Sequence, residues 1–304
     1  MNSTLNGLSS LPHLGVIRAE GEDAAKFLHG QLTQDFSLLG LSEARLAAFC
    51  SAKGRMQASF IAFKRSHTDI LLVCSRDLLA PTLKRLSMFV LRSKVKLSDA
   101  SAEVVLCGLA GEAVQALAPG AHAPWSRNDL GPATLVHLYP ADGTPLALWV
   151  APAGTPLPTV PALKHEDWLW GEVRSGVATL TQPIFEAFVP QMLNYESLGG
   201  VNFKKGCYPG QEVVARSQFR GTLKRRAYLA HAAAEMLAGQ EIFDAADPSQ
   251  PCGIVAQAAA APGGGFDAIV SLQTSASGAS LQVGQAGGPA LQLLPLPYPL
   301  LEDI

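Results

Sequence analysis

Hydrophobic residues in the first hundred positions follow strand-like and helical periodicities in turn. Apolar residues recur at helical spacing from position 79 to position 90 after Asp77, which predicts a helix that Asp77 caps. A shorter helix is predicted at residues 24–29, and the first fifteen residues are expected to form a loose, polar lead-in. Apolar and alternating runs predict strands at residues 16–19, 45–50, 56–64, 69–74 and 94–97. This order of elements is typical of a split β-α-β unit.

A second unit of the same kind follows along the chain. Its last two strands are predicted to pair around the Asp142-Gly143 turn. Proline-rich sequence predicts loops at residues 118–132 and 152–161. The regular elements predicted here are a strand at 103–109, a helix at 111–117, and strands at 134–139 and 146–150.

A helix predicted at residues 164–175 carries Trp168 and Trp170. Two residues that lie two positions apart on a helix point in different directions, so both indoles cannot face the core. One tryptophan is therefore structural. The other either offers an aromatic face to a flat ligand or covers the rim of the fold, and periodicity alone favours the second role.

The pattern changes after Arg226, where short apolar segments alternate with glycine, proline and serine. These segments, at residues 227–232, 253–258, 268–273, 281–285 and 290–294, predict the strands of a small antiparallel barrel. The sequence therefore predicts an α+β protein in two parts. Residues 1–220 form a region of two sub-lobes that divide near 98–102, and residues 221–304 form the barrel.

Composition limits the functions that the chain can have. The formal net charge of −2 gives no overall attraction to nucleic acid or to an anionic membrane, and no segment reaches the ~18 apolar residues of a membrane span. The N-terminus lacks the pattern of a signal peptide. The five cysteines are scattered without a C-x-x-C pair, which favours reduced thiols in the cytoplasm and argues against a self-contained metal site. We therefore expect a cytoplasmic protein without a membrane role.

Reactive chemistry is concentrated at residues 204–212, within the longer stretch 199–226. This short segment contains two lysines, a thiol, a phenol, an amide and a carboxylate, together with two glycines and a proline. Pro209 followed by Gly210 favours a type II turn. The longer stretch is also a local basic patch, with Lys204, Lys205, Arg216, Arg220, Lys224, Arg225 and Arg226 against Glu212 alone.

Cys207 is the candidate working thiol of this segment. Neighbouring ammonium groups raise the fraction of a cysteine that is present as the reactive thiolate. The alternative is a buried cysteine that fills the core beside a solvated basic loop, since free cysteine is among the most buried residue types. The density of polar groups around Cys207 favours the functional interpretation. For the polar turn at residues 31–35, ligand contact by Gln31 or Asp35 and simple capping are equally compatible with the sequence.

The run KGCYPGQE at residues 205–212 resembles the signature K-G-C-Y-x-G-Q-E of the YgfZ family, folate-binding relatives of the glycine-cleavage T-protein. Both flanks of this run, GGVNFKKG and VARSQFRG, resemble the family as well. Further likenesses are AKGRMQASF at 52–60, RSKVKL at 92–97 and PLPYPL at 295–300, so that the resemblance covers nearly the whole chain.

The resemblance implies both a fold and a function. The fold would be a T-protein-like folate-binding core with a C-terminal barrel, three lobes around a central channel. The function would be folate-dependent assembly or repair of iron–sulfur clusters in client proteins, with an indirect effect on tRNA modification. Cys207 would be the nucleophile or transient ligand, and Lys205 would favour its thiolate or attract the anionic tail of tetrahydrofolate. The resemblance implies that the folate site includes Trp168, Tyr208, Gln211, Glu212 and Arg216. Trp168 would stack on the pterin or aminobenzoate ring, and the other four residues would shape the loop that carries Cys207.

The chain departs from the T-protein pattern at one decisive position. Where aminomethyltransferases carry the aspartate that activates the folate nitrogen, this chain has Ala58 and Ser59, and neither residue can carry a carboxylate's charge. Aminomethyl transfer is therefore disfavoured. A second departure lies near the first strand, where His13 or Leu14 replaces a tryptophan of some relatives.

Two other function classes remain compatible with the sequence. The first is a folate-dependent one-carbon transferase that acts on an amine or a tRNA base, against which the missing carboxylate at 58–59 counts. The second is a module that binds tRNA directly through the basic stretch 204–226, in which case the affinity would fall steeply with salt.

Overall fold

The chain folds into two five-stranded antiparallel sheets and a closed six-stranded barrel. The structure, a computed structural model, describes residues 5–219 and 223–301. This arrangement of strands and helices confirms the predicted α+β class with its C-terminal antiparallel barrel. The predicted boundary between the two parts, at residues 220 and 221, lies outside the described residues and stays a prediction.

The first sheet has the strand order β3-β4-β5-β2-β6. Its strands are β2 (Leu14–Glu20), β3 (Ala44–Cys50), β4 (Met56–Ser66), β5 (Asp69–Ser75) and β6 (Lys96–Asp99), close to the predicted ranges. Two helices, α1 (Ala24–Gln31) and α2 (Arg76–Ser87), pack on one face of the sheet through a shared apolar core. Ser75 is the N-cap of α2, so the prediction that Asp77 caps this helix was wrong by two residues. Asp77 instead lies in the first turn, where its Oδ2 accepts a hydrogen bond from the backbone N–H of Gln182 at 2.9 Å.

The second sheet has the strand order β1-β7-β10-β9-β8. It consists of β1 (Gly7–Ser10), β7 (Val104–Ala110), β8 (Arg127–Leu130), β9 (Ala133–His137) and β10 (Leu146–Pro152). The helices α3 (Glu112–Leu117) and α4 (His165–Arg174) belong to this part of the chain. The expectation of a loose lead-in was wrong, because β1 pairs with β7 and buries Leu5 and Leu11 on either side of it. Strand β8 was missed because its sequence, RNDL, shows no apolar alternation.

The barrel closes in the order β11-β14-β13-β12-β15-β16. Its strands are β11 (Arg225–Ala232), β12 (Glu241–Asp244), β13 (Gly253–Ala260), β14 (Phe266–Gln273), β15 (Leu281–Val283) and β16 (Ala290–Leu294). The sequence did not predict β12, in which Ile242 is the one buried residue. The described structure also has three short 3-10 turns, at Gln182–Ile184, Pro190–Leu193 and Thr274–Ala276.

Helix α4 joins the barrel to the rest of the molecule. Trp170 Nε1 donates a hydrogen bond to Asp267 Oδ2 in β14 at 2.8 Å, and Arg174 forms an ion pair with the same carboxylate at 3.5 Å. Trp168 points the other way and is fully buried, and a Cβ added to Gly108 of β7 would meet its ring at 2.5 Å. The first sheet, α4 and the barrel thus share one continuous core.

None of the helices in the described ranges is both long enough and apolar enough to cross a bilayer.

Candidate functional site

The signature sequence divides into a loop, residues 204–210, and a helix, α5 (Gln211–Phe219). The backbone N–H of Gln211 donates to the carbonyl of Tyr208 at 3.2 Å, and Gly210 has a φ of +80°. With Pro209 ahead of it, this is the geometry of the predicted type II turn. The sequence did not predict a helix at 211–219, because the glycines and proline of the preceding segment favoured a loop.

The buried ammonium group of Lys205 anchors this loop to the C-terminal end of α1. Its Nζ donates hydrogen bonds to the backbone carbonyls of His29 and, at 2.9 Å, of Leu32. These carbonyls lack partners within the helix, and a cation also complements the negative end of the helix dipole. Burial lowers the pKa of Lys205 to about 8, against the opposing influence of Asp35 and Cys207. The ammonium also stands 4.5 Å from the ring centre of Tyr208, which is itself buried.

The segment before Lys205 follows the polar turn after α1. Thr33 Oγ1 donates to the carbonyl of Gly200 at 2.7 Å, and Gln34 Nε2 donates to the carbonyl of Gly199 at 2.5 Å. The backbone N–H of Asn202 donates to the carbonyl of Thr33 at 2.9 Å. Residues 199–202 are therefore fixed to the turn after α1 just before the loop that carries Cys207.

Cys207 is exposed, whereas the other four cysteines are buried. Burial raises the pKa of Cys50 and of Cys74 to about 12. All five cysteines lie in the described ranges, so Cys207 is the one thiol of the chain that is open to a reagent. The structure thus removes the alternative that Cys207 fills the core.

The remaining signature residues lie on the loop and on α5. Gln211 is half-buried, and its Nε2 reaches the carbonyl of Lys205 at 3.4 Å. Glu212 and Arg216 are exposed and four positions apart, which places them on one face of α5. The basic stretch does not form a single surface, because Lys205 and Arg226 are buried and Arg226 pairs with Glu196 at 2.9 Å. Arg220 lies outside the described residues.

Trp168 lies apart from the loop. Its ring is fully buried, and its Nε1 donates a hydrogen bond to Glu172 Oε1, one helical turn further along α4, at 2.8 Å. The structure therefore places the predicted site residues in two separate locations. Trp168 positions the carboxylate of Glu172 through this hydrogen bond. Its ring has no exposed face on which a ligand could stack.

Glu172 lies where two cavities meet. The first, between the two sheets, has a volume of about 50 Å³ and is lined in part by Leu46, Ser59, Tyr139, Thr179 and Tyr195. The second has a volume of about 490 Å³, within the range of small-molecule sites. We call it the α4 cleft, and its lining includes His13, Arg76, Leu169, Glu172, Thr181 and Gln257. The smaller cavity has room for a few water molecules, and the α4 cleft has room for a ligand of several rings.

Polar groups in the α4 cleft have unused hydrogen-bonding capacity. Glu172 Oε1 contacts His13 Nε2 at 3.1 Å, and Glu172 Oε2 accepts from Gln257 Nε2 at 3.2 Å. Because a carboxylate accepts only, His13 carries its proton on Nε2 and its Nδ1 is an acceptor. That Nδ1 and the hydroxyl of Thr181 are buried without a hydrogen-bond partner among the described residues. Buried polar groups are rarely left unpaired, so these two atoms are available to hydrogen-bond water or a ligand in the cleft.

Ala58 and Ser59, at which the sequence interpretation noted a missing carboxylate, are neighbours on β4. Ala58 faces the core between the first sheet and its helices, whereas Ser59 faces the small central cavity. Ser59 Oγ accepts a hydrogen bond from the backbone N–H of Leu180 at 2.9 Å. A neutral hydroxyl thus stands on the cavity side of this strand.

No group of three or more His, Cys, Asp or Glu side chains within 5–219 and 223–301 is arranged to hold a metal ion.

Curated relatives align with nearly the whole chain. A protein of Photorhabdus laumondii named tRNA-modifying protein YgfZ is 31% identical over 311 residues, which cover 97% of this chain and 93% of that protein. The protein of the same name from Yersinia pestis is 30% identical, with the same coverage. The chain belongs to the YgfZ family. A third relative, from Klebsiella pneumoniae, is 34% identical over 72% of this chain and 69% of its own length. No family model matches the chain.

The architecture of this YgfZ-family protein is shared with a solved enzyme. The crystal structure of glycine cleavage system aminomethyltransferase T from Bartonella henselae matches with a TM-score of 0.68 over 99% of this chain and 88% of that one. The two sequences are 16% identical, so the likeness concerns the fold alone. The predicted T-protein-like architecture is confirmed.

The sequence interpretation missed Glu172 and Thr181 and did not give His13 a role. Glu172 follows Trp168 by four positions, the spacing at which helical side chains meet, and this was the available signal. His13 had been noted only as a departure from relatives. Nothing in the local sequence relates His13 or Thr181 to Glu172, because their proximity arises from tertiary structure.

Replacing Gly210 with alanine tests how closely the loop at residues 204–210, which we call the thiol loop, packs against the β3–β4 turn. The new Cβ would lie 2.4 Å from the carbonyl oxygen of Ser51 and 2.8 Å from Gly54 Cα, at a φ of +80°. We expect Gly210→Ala to lower the free energy of unfolding by about 2–4 kcal/mol, from backbone strain together with the steric clash. Urea denaturation measures this change.

Gly143→Ala is the matched control, because Gly143 has a φ of +83° but no atom within 4 Å of the added Cβ. It should lose only the strain contribution, about 1–2 kcal/mol. Equal losses in the two variants would show that the loop is not packed against the β3–β4 turn.

Proposed function

We propose that this protein binds tetrahydrofolate in the α4 cleft and uses Cys207 in the assembly or repair of iron–sulfur clusters in client proteins. An effect on tRNA modification would follow where the modifying enzyme depends on such a cluster. We place this activity in the cytoplasm, since an exposed free thiol beside four buried ones suits a reducing compartment.

The unpaired acceptors around Glu172 are the observation that carries the folate proposal. The edge of a pterin ring presents several N–H donors, and Glu172 Oε2, which accepts one hydrogen bond from Gln257, can accept another. Glu172 and His13 Nδ1 supply acceptors, and the Thr181 hydroxyl can either donate or accept. Arg76, in the same lining, supplies a cation for the glutamate tail of folate. The residues present therefore fit this group in size, polarity and charge.

The roles of the cleft residues follow from their contacts. Trp168 and Gln257 hold the carboxylate of Glu172 in place from opposite oxygens, and His13 completes this support. Leu169 provides an apolar surface for the flat ring. Bound tetrahydrofolate would supply a one-carbon or reducing group, and the protein's contribution is to orient it and exclude water.

The thiol has a different chemical task from the cleft. Cys207 stands exposed on a loop that the buried side chains of Lys205 and Tyr208 anchor, which presents its sulfur to a macromolecular partner. A thiolate can attack a sulfur-containing group or ligate iron. Lys205, Tyr208 and Gln211 hold the loop, while Glu212 and Arg216 are exposed on α5 and available to such a partner.

Direct action on tRNA is the second candidate, because the curated relatives carry the name tRNA-modifying protein. The burial of Lys205 and Arg226 weakens it, since these side chains cannot contact phosphate. The exposed or half-exposed basic residues left in the described part of the stretch are Lys204, Arg216, Lys224 and Arg225. Binding that falls steeply with rising salt would support this candidate. Aminomethyl transfer is disfavoured by the hydroxyl of Ser59.

Replacing Cys207 with serine tests the thiol. We expect Cys207→Ser to fold normally, because the side chain is exposed, and to leave cluster-dependent enzyme activity at the level of cells that lack the protein. The measurement is the activity of an iron–sulfur enzyme, together with thiolated tRNA, in complemented cells. Cys252→Ser, in the barrel, is the control and should restore both. Full rescue by Cys207→Ser would remove the thiol from the mechanism.

Replacing Glu172 with glutamine tests the folate site. The change keeps the shape of the side chain but substitutes a donor for one charged acceptor, so we expect tetrahydrofolate affinity to fall about 10- to 100-fold. Anaerobic calorimetric titration measures it. Glu241→Gln, at an exposed carboxylate of β12, is the matched control and should bind like the wild type. Unchanged affinity in Glu172→Gln would move folate elsewhere, and no binding by the wild type would end the folate proposal.

A further inference from the structure

A histidine–aspartate pair stands beside the thiol loop. His29 lies in the last turn of α1, and its Nδ1 is 3.0 Å from Asp35 Oδ1. Burial opposes ionisation of Asp35, but hydrogen bonds from the backbone N–H of Leu38 and from His29 hold its pKa below the usual value. An ionised carboxylate only accepts, so Nδ1 of His29 carries the proton and Nε2 is left as an acceptor.

The free nitrogen of His29 faces the segment that carries Cys207. A Cβ added to Gly206 would lie 3.5 Å from His29 Nε2, its nearest neighbour. The ammonium of Lys205, the residue before Gly206, donates a hydrogen bond to the backbone carbonyl of the same histidine. Lys205 and Gly206, the two residues before Cys207, thus both lie next to His29. Because Gly206 has no side chain, it does not cover Nε2 of the imidazole.

We propose that His29 accepts the proton of the Cys207 thiol, with Asp35 positioning the imidazole. The S–H bond of Cys207 breaks and an N–H bond forms at His29 Nε2, so a neutral thiol and a neutral imidazole become a thiolate and an imidazolium. No oxidant or other co-reactant is required. The resulting imidazolium keeps its contact with the carboxylate of Asp35, and both this carboxylate and the thiolate favour its charge.

The other charges around this pair are consistent with the proton transfer. The ammonium of Lys205 interacts electrostatically with both Asp35 and Cys207, and it favours the thiolate while opposing the imidazolium. Lys204, on the same loop, is exposed and screened by solvent. His29 therefore gives the proton of Cys207 a definite acceptor, which the lysines cannot provide because an ammonium group only donates.

This inference rests on the proposed role of Cys207 as the working thiol, but its test measures the thiol directly. The rate of iodoacetamide alkylation at Cys207, followed by mass spectrometry between pH 5.5 and 10, reports the fraction of thiolate. At pH 7 we expect His29→Gln to react about tenfold more slowly than the wild type, with the midpoint of the profile moved up by about one pH unit. Asp35→Asn should change the profile in the same direction.

His231→Gln is the matched control. His231 Nδ1 lies 2.8 Å from Asp267 Oδ1 in the barrel, so the variant removes a histidine–aspartate contact of the same kind away from the loop. Its alkylation profile should equal that of the wild type. A profile in His29→Gln that also equals that of the wild type would overturn the proposal.

A second measurement leaves α1 unchanged and therefore covers the case in which His29→Gln does not fold. The NMR titration of His29 is compared between the wild type and Cys207→Ser. A thiolate partner favours the imidazolium, so loss of the thiol should move the His29 titration to lower pH. Identical titrations would show that the two groups are not coupled. Neither result of the NMR titration decides the outcome of the tests of cluster repair and folate binding.

Discussion

The buried ammonium of Lys205 is the interaction on which the thiol site depends. It donates hydrogen bonds to the backbone carbonyls of His29 and Leu32 at the end of α1 and lies over the ring of Tyr208. A buried charged group thus holds the loop against α1. A buried cation is costly unless it is paired, and here unsatisfied helix carbonyls provide the partners. Because Lys205 and Tyr208 both point inward, the side chain between them in the turn, Cys207, is left at the surface.

The folate proposal and the thiol proposal concern different parts of the molecule. Glu172, His13 and Thr181 surround a cleft between α4, the start of α2 and the barrel, whereas Cys207 lies beside α1 and the β3–β4 turn. Strand β4 connects them, since Ser59 lines the central cavity and the turn before this strand packs against Gly210. In this conformation, folate bound in the α4 cleft as proposed would not touch the sulfur of Cys207.

Local sequence was sufficient for most of the fold but for only part of the site. Periodicity predicted all five strands of the first sheet, three of the second and five of the barrel, because burial on one face imposes a regular pattern. It failed for β1, β8 and β12, whose four-residue segments contain few apolar side chains. The signature run located Cys207, Lys205 and the turn at Gly210, since those features depend on neighbours in the chain.

Long-range contacts set the limits of the sequence interpretation. Lys205 donates to a helix-end carbonyl 176 residues before it, and the ring of Trp168 packs on Gly108 of β7. Neither contact leaves a trace in the local pattern. The α4 cleft likewise forms from residues near the N-terminus, α4 and the barrel, so its acceptors could be recognised only in three dimensions.

Hydrogen–deuterium exchange with and without tetrahydrofolate tests the central claim, that folate and the thiol occupy separate sites. We expect slower exchange in peptides that contain His13, the region from Trp168 to Thr181, and residues 236–238 and 256–258, with no change at residues 204–210. Protection confined to residues 204–210 would contradict the claim, because folate would then bind at the thiol loop.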